Sequence, residues 1–163
     1  MDPEELGTEL AFLARSKVLQ QQKHTLTVLA PANSGDVKIS FFVNISIGRI
    51  GQPHLTSDGT VNVASLLDLL ATKLKVILQR IEAKDYQDIA AILRSGELLE
   101  NGLAGAAALY SPTFQPSEAM KALTYFEEGD LASLSQDDRE LLIHSVIHAR
   151  NKPAASSVYR SLS

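Results

Sequence analysis

The sequence predicts an α+β protein, a small antiparallel sheet followed by a C-terminal helical bundle, and three observations carry that prediction. Thr alternates with Leu and Val in "HTLTVLA" (residues 24–30), and period two returns in "VKISFF" (residues 37–42). From Ala64 onward Leu and Ala recur at three- and four-residue steps, and no strand signal returns. Turn and cap residues punctuate the chain where the two patterns meet.

The elements follow in order. Residues 3–16 open with acids and then set Leu6, Leu10, Phe12 and Leu13 at near-helical spacing, so a short amphipathic helix is expected. The two alternating runs are separated by "PANSGD", a Gly-containing turn, and read as antiparallel strands. "VNISIGRIG" and "TVNVAS" extend the β-rich stretch around the "SDG" turn at residues 57–59, giving one small twisted sheet over residues 24–63. Ser65 and Asp68 form a capping pattern, and Leu66, Leu67, Leu70, Leu74, Ile77, Leu78 and Ile81 predict a helix running to about residue 81. A second helix starts near Lys84 or Asp85 and stops at Gly96. Further helices are expected over residues 97–110, over 117–126 behind Pro116, and over 137–149 behind a Ser135/Asp138 cap, so that about four helices form a bundle. The expected domains are a partial α/β portion at 1–63, the bundle at 64–150 and a loose tail at 151–163. Three or four strands leave a sheet face uncovered, so the sheet looks like part of a larger one.

Composition excludes several classes of function. The 163 residues are 45% apolar, enough for one domain with a core. A net charge of −4 speaks against binding duplex nucleic acid or an anionic membrane. Cysteine is absent, which removes disulfides, thiolate metal sites and cysteine nucleophiles. The acidic start "MDPEELGTEL" is unlike a secretory signal, and no apolar run reaches membrane-spanning length, so a cytoplasmic location is expected.

The charges that call for a decision are Asp68, Lys73, Arg80, Lys84, Asp85 and Asp88. Lys73 and Arg80 stand two helical turns apart and could clamp a polyphosphate from one helix face, or could be solvated shoulders of the apolar stripe. Asp85 and Asp88 could orient those cations, or could be an N-cap and an acid of the first turn. Asp68 has a cap reading through Ser65. His144 and His148, four apart, have metal-ligand spacing, but no third ligand is evident and no metal site is assigned.

Segments 25–28, 37–42, 48–53, 64–74, 80–93 and 108–131 together resemble the AbiEii/AbiGii-type toxin nucleotidyltransferases of type IV toxin–antitoxin systems. The most specific elements are the D-x4-K helix ending at Lys73, the R-x3-KD-x2-D run from Arg80 to Asp88, and "FQPSEAMKALTYF". The resemblance implies a polymerase-β-type fold in which paired acids hold Mg²⁺ against a nucleoside triphosphate, with Lys73, Arg80, Lys84, Asp85, Asp88 and Asp68 helping to position the nucleotide. It also implies an antitoxin or other protein as partner. Such enzymes carry a G-G/S-T-A-L segment and a D-x-D pair that this sequence lacks, and "VKISFF" offers Lys38 and Ser40 where a third acid belongs. No catalytic residue is therefore assigned, no cofactor is expected for this chain alone, and the chain is expected to begin just after the family's metal-binding strand. It would then be inactive by itself, or complemented by a separately encoded piece. The alternative is a non-catalytic interaction module that forms a homodimer through its sheet edge.

Overall fold

The computed structural model describes residues 10–43 and 48–151, which fall into two compact units divided between Ile47 and Gly48. In the first unit a 3-10 turn, Ala11–Arg15, leads into an antiparallel sheet of order β1-β2-β3, with β1 at Lys17–Gln22, β2 at Thr25–Ala30 and β3 at Val37–Phe42. Val28 pairs with Val18 on one side and Ile39 on the other, which gathers the apolar side chains of the alternating runs onto one face. Leu13 closes that face over Leu26 and Val28, and Leu10, Ile39 and Phe41 pack around them. Thr27, on the opposite face, is also buried and shares a 3.0 Å hydrogen bond with the Ser40 hydroxyl.

Two expectations change here. The helix expected over residues 3–16 appears, within the described residues, only as the 3-10 turn; residues 3–9 lie outside them. Strand β1 had no signal in the sequence because all six of its residues are exposed, so no alternation marks it.

The second unit begins with a two-stranded ribbon, β4 at His54–Leu55 against β5 at Asn62–Val63, hinged on Gly59 with a φ of 72°. It is separate from the three-stranded sheet, so the single sheet expected over 24–63 is two; residues 44–47 of "VNISIGRIG" lie outside the described ones. Among the described residues five α-helices follow: α1 at Leu66–Val76, α2 at Ala83–Arg94, α3 at Leu99–Tyr110, α4 at Pro116–Ala122 and α5 at Gln136–Asn151. Helix α1 packs most extensively on α3 and also against α2. Gly102 permits the α1–α3 approach, since a Cβ there would stand 2.5 Å from Leu70 Cδ2. Leu70, Leu74, Tyr86, Ile89, Leu99, Leu123 and Leu142 form the centre of the resulting core.

Helix α1 ends sooner than its apolar spacing suggests. After Val76 the amides of Leu78 and Gln79 bond three residues back, to Lys75 and Val76, and the last turn tightens out of the α-helix. Arg80 consequently lies beyond the helix, in the connection to α2.

Candidate functional site

Asp85 lies in the first turn of α2 and its side chain is fully buried. The N-cap of α2 is Glu82, and the first helical amide, that of Ala83, donates at 2.6 Å to Asp130 Oδ1 from a distant loop. The expected N-cap role for Asp85 is thus filled otherwise, and its carboxylate turns to side-chain cations. Lys73 Nζ, in the last turn of α1, donates at 2.7 Å to Asp85 Oδ1 and also to Asp88 Oδ2. Arg80 donates from Nε at 2.9 Å to Asp85 Oδ2 and from Nη2 at 3.3 Å to Oδ1. Both oxygens of the buried acid therefore have charged donors, the condition under which such an acid is tolerated.

The titration behaviour follows from this geometry. Burial pushes the Asp85 carboxyl up, but the hydrogen bonds and charges of Arg80 and Lys73 outweigh burial and hold it below the usual carboxylate range. Burial likewise opposes the Lys73 ammonium, and Asp85 and Asp88 overcome it, so its pKa is raised. Hydrogen bonding to Asp85 raises Arg80 as well. All three groups are charged at neutral pH.

The fold brings together four of the six residues singled out in sequence: Lys73, Arg80, Asp85 and Asp88. They do not form the bare two-cation clamp on one helix face, because Arg80 is off the helix and both cations converge on Asp85. What stays open to solvent is the outer side: Arg80 and Asp88 are half-exposed, Arg80 Nη2 also stands 3.6 Å from Glu82 Oε2, and among the described residues Arg80 Nη1 has no partner and exposed Lys84 no ion pair. Asp68 serves another purpose. Its carboxylate accepts from the Ile50 amide at 2.7 Å, the Gly51 amide at 3.1 Å and the Ser65 hydroxyl at 2.6 Å, while Ser65 Oγ caps the Asp68 amide. It fastens the loop before β4 to the start of α1.

A phosphate-bearing ligand could reach the spare donors of Arg80 and the ammonium of Lys84 without dismantling the Asp85 pairs. A divalent cation does not fit the same cluster: both Asp85 oxygens already accept hydrogen bonds, leaving one oxygen of Asp88. Among the described residues no three His, Asp or Glu side chains are arranged to hold a metal ion, His144 and His148 included.

The sequence reading missed two acids in this unit. Asp130 was not singled out, and nothing near it in sequence announces a cap on a helix that starts 47 positions earlier. Glu100 was not singled out either, and it is buried. A family model described as nucleotidyl transferase AbiEii toxin, type IV TA system, matches residues 4–159. No curated protein and no solved structure matches.

Proposed function

The chain belongs to the AbiEii nucleotidyl transferase toxin family of type IV toxin–antitoxin systems, and from that premise we propose that it is a nucleotidyltransferase-like protein whose α1–α2 junction binds the phosphates of a nucleotide. In this reading Arg80 and Lys84 meet the phosphates, Asp85 and Asp88 hold Arg80 and Lys73 in position, and Asp68 sets the preceding loop. The observation that carries the reading is the convergence of Lys73 and Arg80 on a fully buried Asp85. An ion-pair network that costs desolvation of a carboxylate is a costly way to join two helices, and it yields a pre-oriented guanidinium with donors to spare.

Transfer of a nucleotidyl group is a separate matter. The sequence contains no D-x-D pair, and the α1–α2 acids are engaged by cations, so the chain binds nucleotide without transferring it. Mg²⁺ and an NTP belong to the reaction of the intact family. The family also supports an antitoxin as partner.

The test is a thermal-shift titration with the four NTPs, with and without Mg²⁺, on the parent chain and on Arg80→Ala/Lys84→Ala. Lys84 is exposed and Lys73 still pairs with Asp85 in the variant, and the melting temperature without nucleotide reports that it is folded. A melting temperature that rises with nucleotide and saturates, and that fails to rise in the variant, supports the reading, because a ligand bound only to the folded state must stabilise it. An unchanged melting temperature at about millimolar nucleotide contradicts it.

A second reading is favoured by β1, whose six residues are all exposed on a sheet edge: an interaction module that self-associates by edge pairing. A concentration-independent monomer mass in light scattering would contradict that reading.

A further inference from the structure

A second place in the helical unit has the makings of a site, and it shares no residue with the Asp85 cluster. A groove of about 440 Å³ opens between the segment leading into α3 and the side of α5. It is lined by Leu93, Leu98 and Leu141, by His144 and His148 along α5, and by the carboxylates Glu97 and Glu100. Glu100 is only 6% exposed, it has no hydrogen bond to another described residue, and His148 Nε2 lies 3.7 Å from its Oε1.

That is an unusual position for a carboxylate. The start of α3 favours a negative charge there, which explains why Glu100 is tolerated. It supplies no side-chain donor, and no other described residue hydrogen-bonds either oxygen; Arg139 Nε is the one sealed side-chain nitrogen or oxygen without a partner among the described residues, so the Glu100 oxygens are open to the groove rather than sealed. Asp85, fully buried, is given three hydrogen bonds by Lys73 and Arg80, whereas the Glu100 carboxylate lines the groove.

We propose that the groove binds a guanidinium group on a short aliphatic stem, the chemistry of an arginine side chain. The planar fork matches a carboxylate with two open oxygens, and a guanidinium is more weakly hydrated than an ammonium, which suits leucine walls. The stem lies along Leu98 and Leu141, while the charge meets the Glu100 carboxylate. The same chemistry comes either as a free small molecule or as an arginine presented by a protein, so two probes are needed: agmatine and Nα-acetylarginine amide.

The experiment is an NMR titration of the full chain with each probe, following the imidazole signals of His144 and His148, beside Nα-acetylcitrulline amide as the uncharged isostere. Saturable shifts of these signals by either guanidinium probe, weakened about tenfold or more in Glu100→Gln, support the proposal, and the tighter probe identifies the source. Glu100→Gln keeps the shape of the side chain, and the unchanged remainder of the spectrum reports that it is folded. The proposal is overturned if neither probe shifts the two signals at about 10 mM, if the citrulline analogue binds as well, or if Glu100→Gln binds the probes like the parent. Nucleotide binding at the α1–α2 junction can succeed or fail independently of these outcomes.

Discussion

Asp85 is the residue on which the helical unit is most exposed to a single change. Its two cations are not equivalent: Lys73 is 23% exposed and Arg80 50%. Replacing Lys73 with Met leaves the buried carboxylate with one half-solvated partner and should cost about 2–4 kcal/mol in urea unfolding, whereas Arg80→Ala leaves Lys73 in place and should cost less. Equal losses would mean that the two pairs share the carboxylate evenly. The depressed Asp85 pKa also has a sign. As pH falls the unfolded chain takes up the proton first, so the stability contributed by this carboxylate is complete above its unfolded pKa of about 3.9 and is lost as pH drops through the lower folded value. Asp85→Asn should therefore lower stability at neutral pH and flatten the part of the acid limb below about pH 4. Lys73 acts at the other end: its raised pKa means its contribution is present below about pH 10.5 and fades only in stronger alkali.

At the scale of elements, the cap of α2 is supplied from far away. Asp130→Ala removes the acceptor of the Ala83 amide and should cost about 1 kcal/mol by thermal or urea unfolding, with the loss of helix stability felt at Asp85 two residues on. The same residue shows where sequence legibility ends. Helix α3, β2, β3 and the Ser135/Asp138 start of α5 were readable because periodicity and caps are local, and Asp138 does receive the Ser135 hydroxyl bond while its amide donates back to Ser135. The end of α1 was not readable. Ile77, Leu78 and Ile81 continue the helical spacing, but Ile77 is buried from a tightened turn, and Ile81 packs near Gly129 from the connection. Apolar spacing registers burial and cannot distinguish the helix from the loop that follows it. Strand β1 escaped for the converse reason, being fully exposed. At the site, the residue types were legible and their partners were not: the sequence allowed Asp85 to be a cap, and only the arrival of Asp130 at Ala83 frees it for Lys73 and Arg80.

For the whole molecule, the two units differ greatly in what holds them. The second unit has a continuous core from Leu70 through Ala149, while the first relies on Leu13, Leu26 and Val28 with three half-buried neighbours. A fragment of residues 48–151 should retain its helical circular dichroism and melt cooperatively, whereas residues 10–43 alone, below the size at which a core suffices, should be unfolded. No described helix is long and apolar enough to cross a membrane. In the function proposed here, the charged register joining α1 to α2 is a nucleotide site held in position by a buried acid. The most direct measurement follows the Arg80 Nε–H signal by NMR in the intact chain while each NTP is added. This proton is bonded to Asp85 Oδ2 at a heavy-atom distance of 2.9 Å, so it reports on the network and on any ligand at the same guanidinium. A saturable shift, abolished by Lys84→Ala/Asp88→Ala, is the result expected. An Nε–H signal that stays fixed through about millimolar nucleotide would contradict the claim and leave the register as a structural ion-pair network.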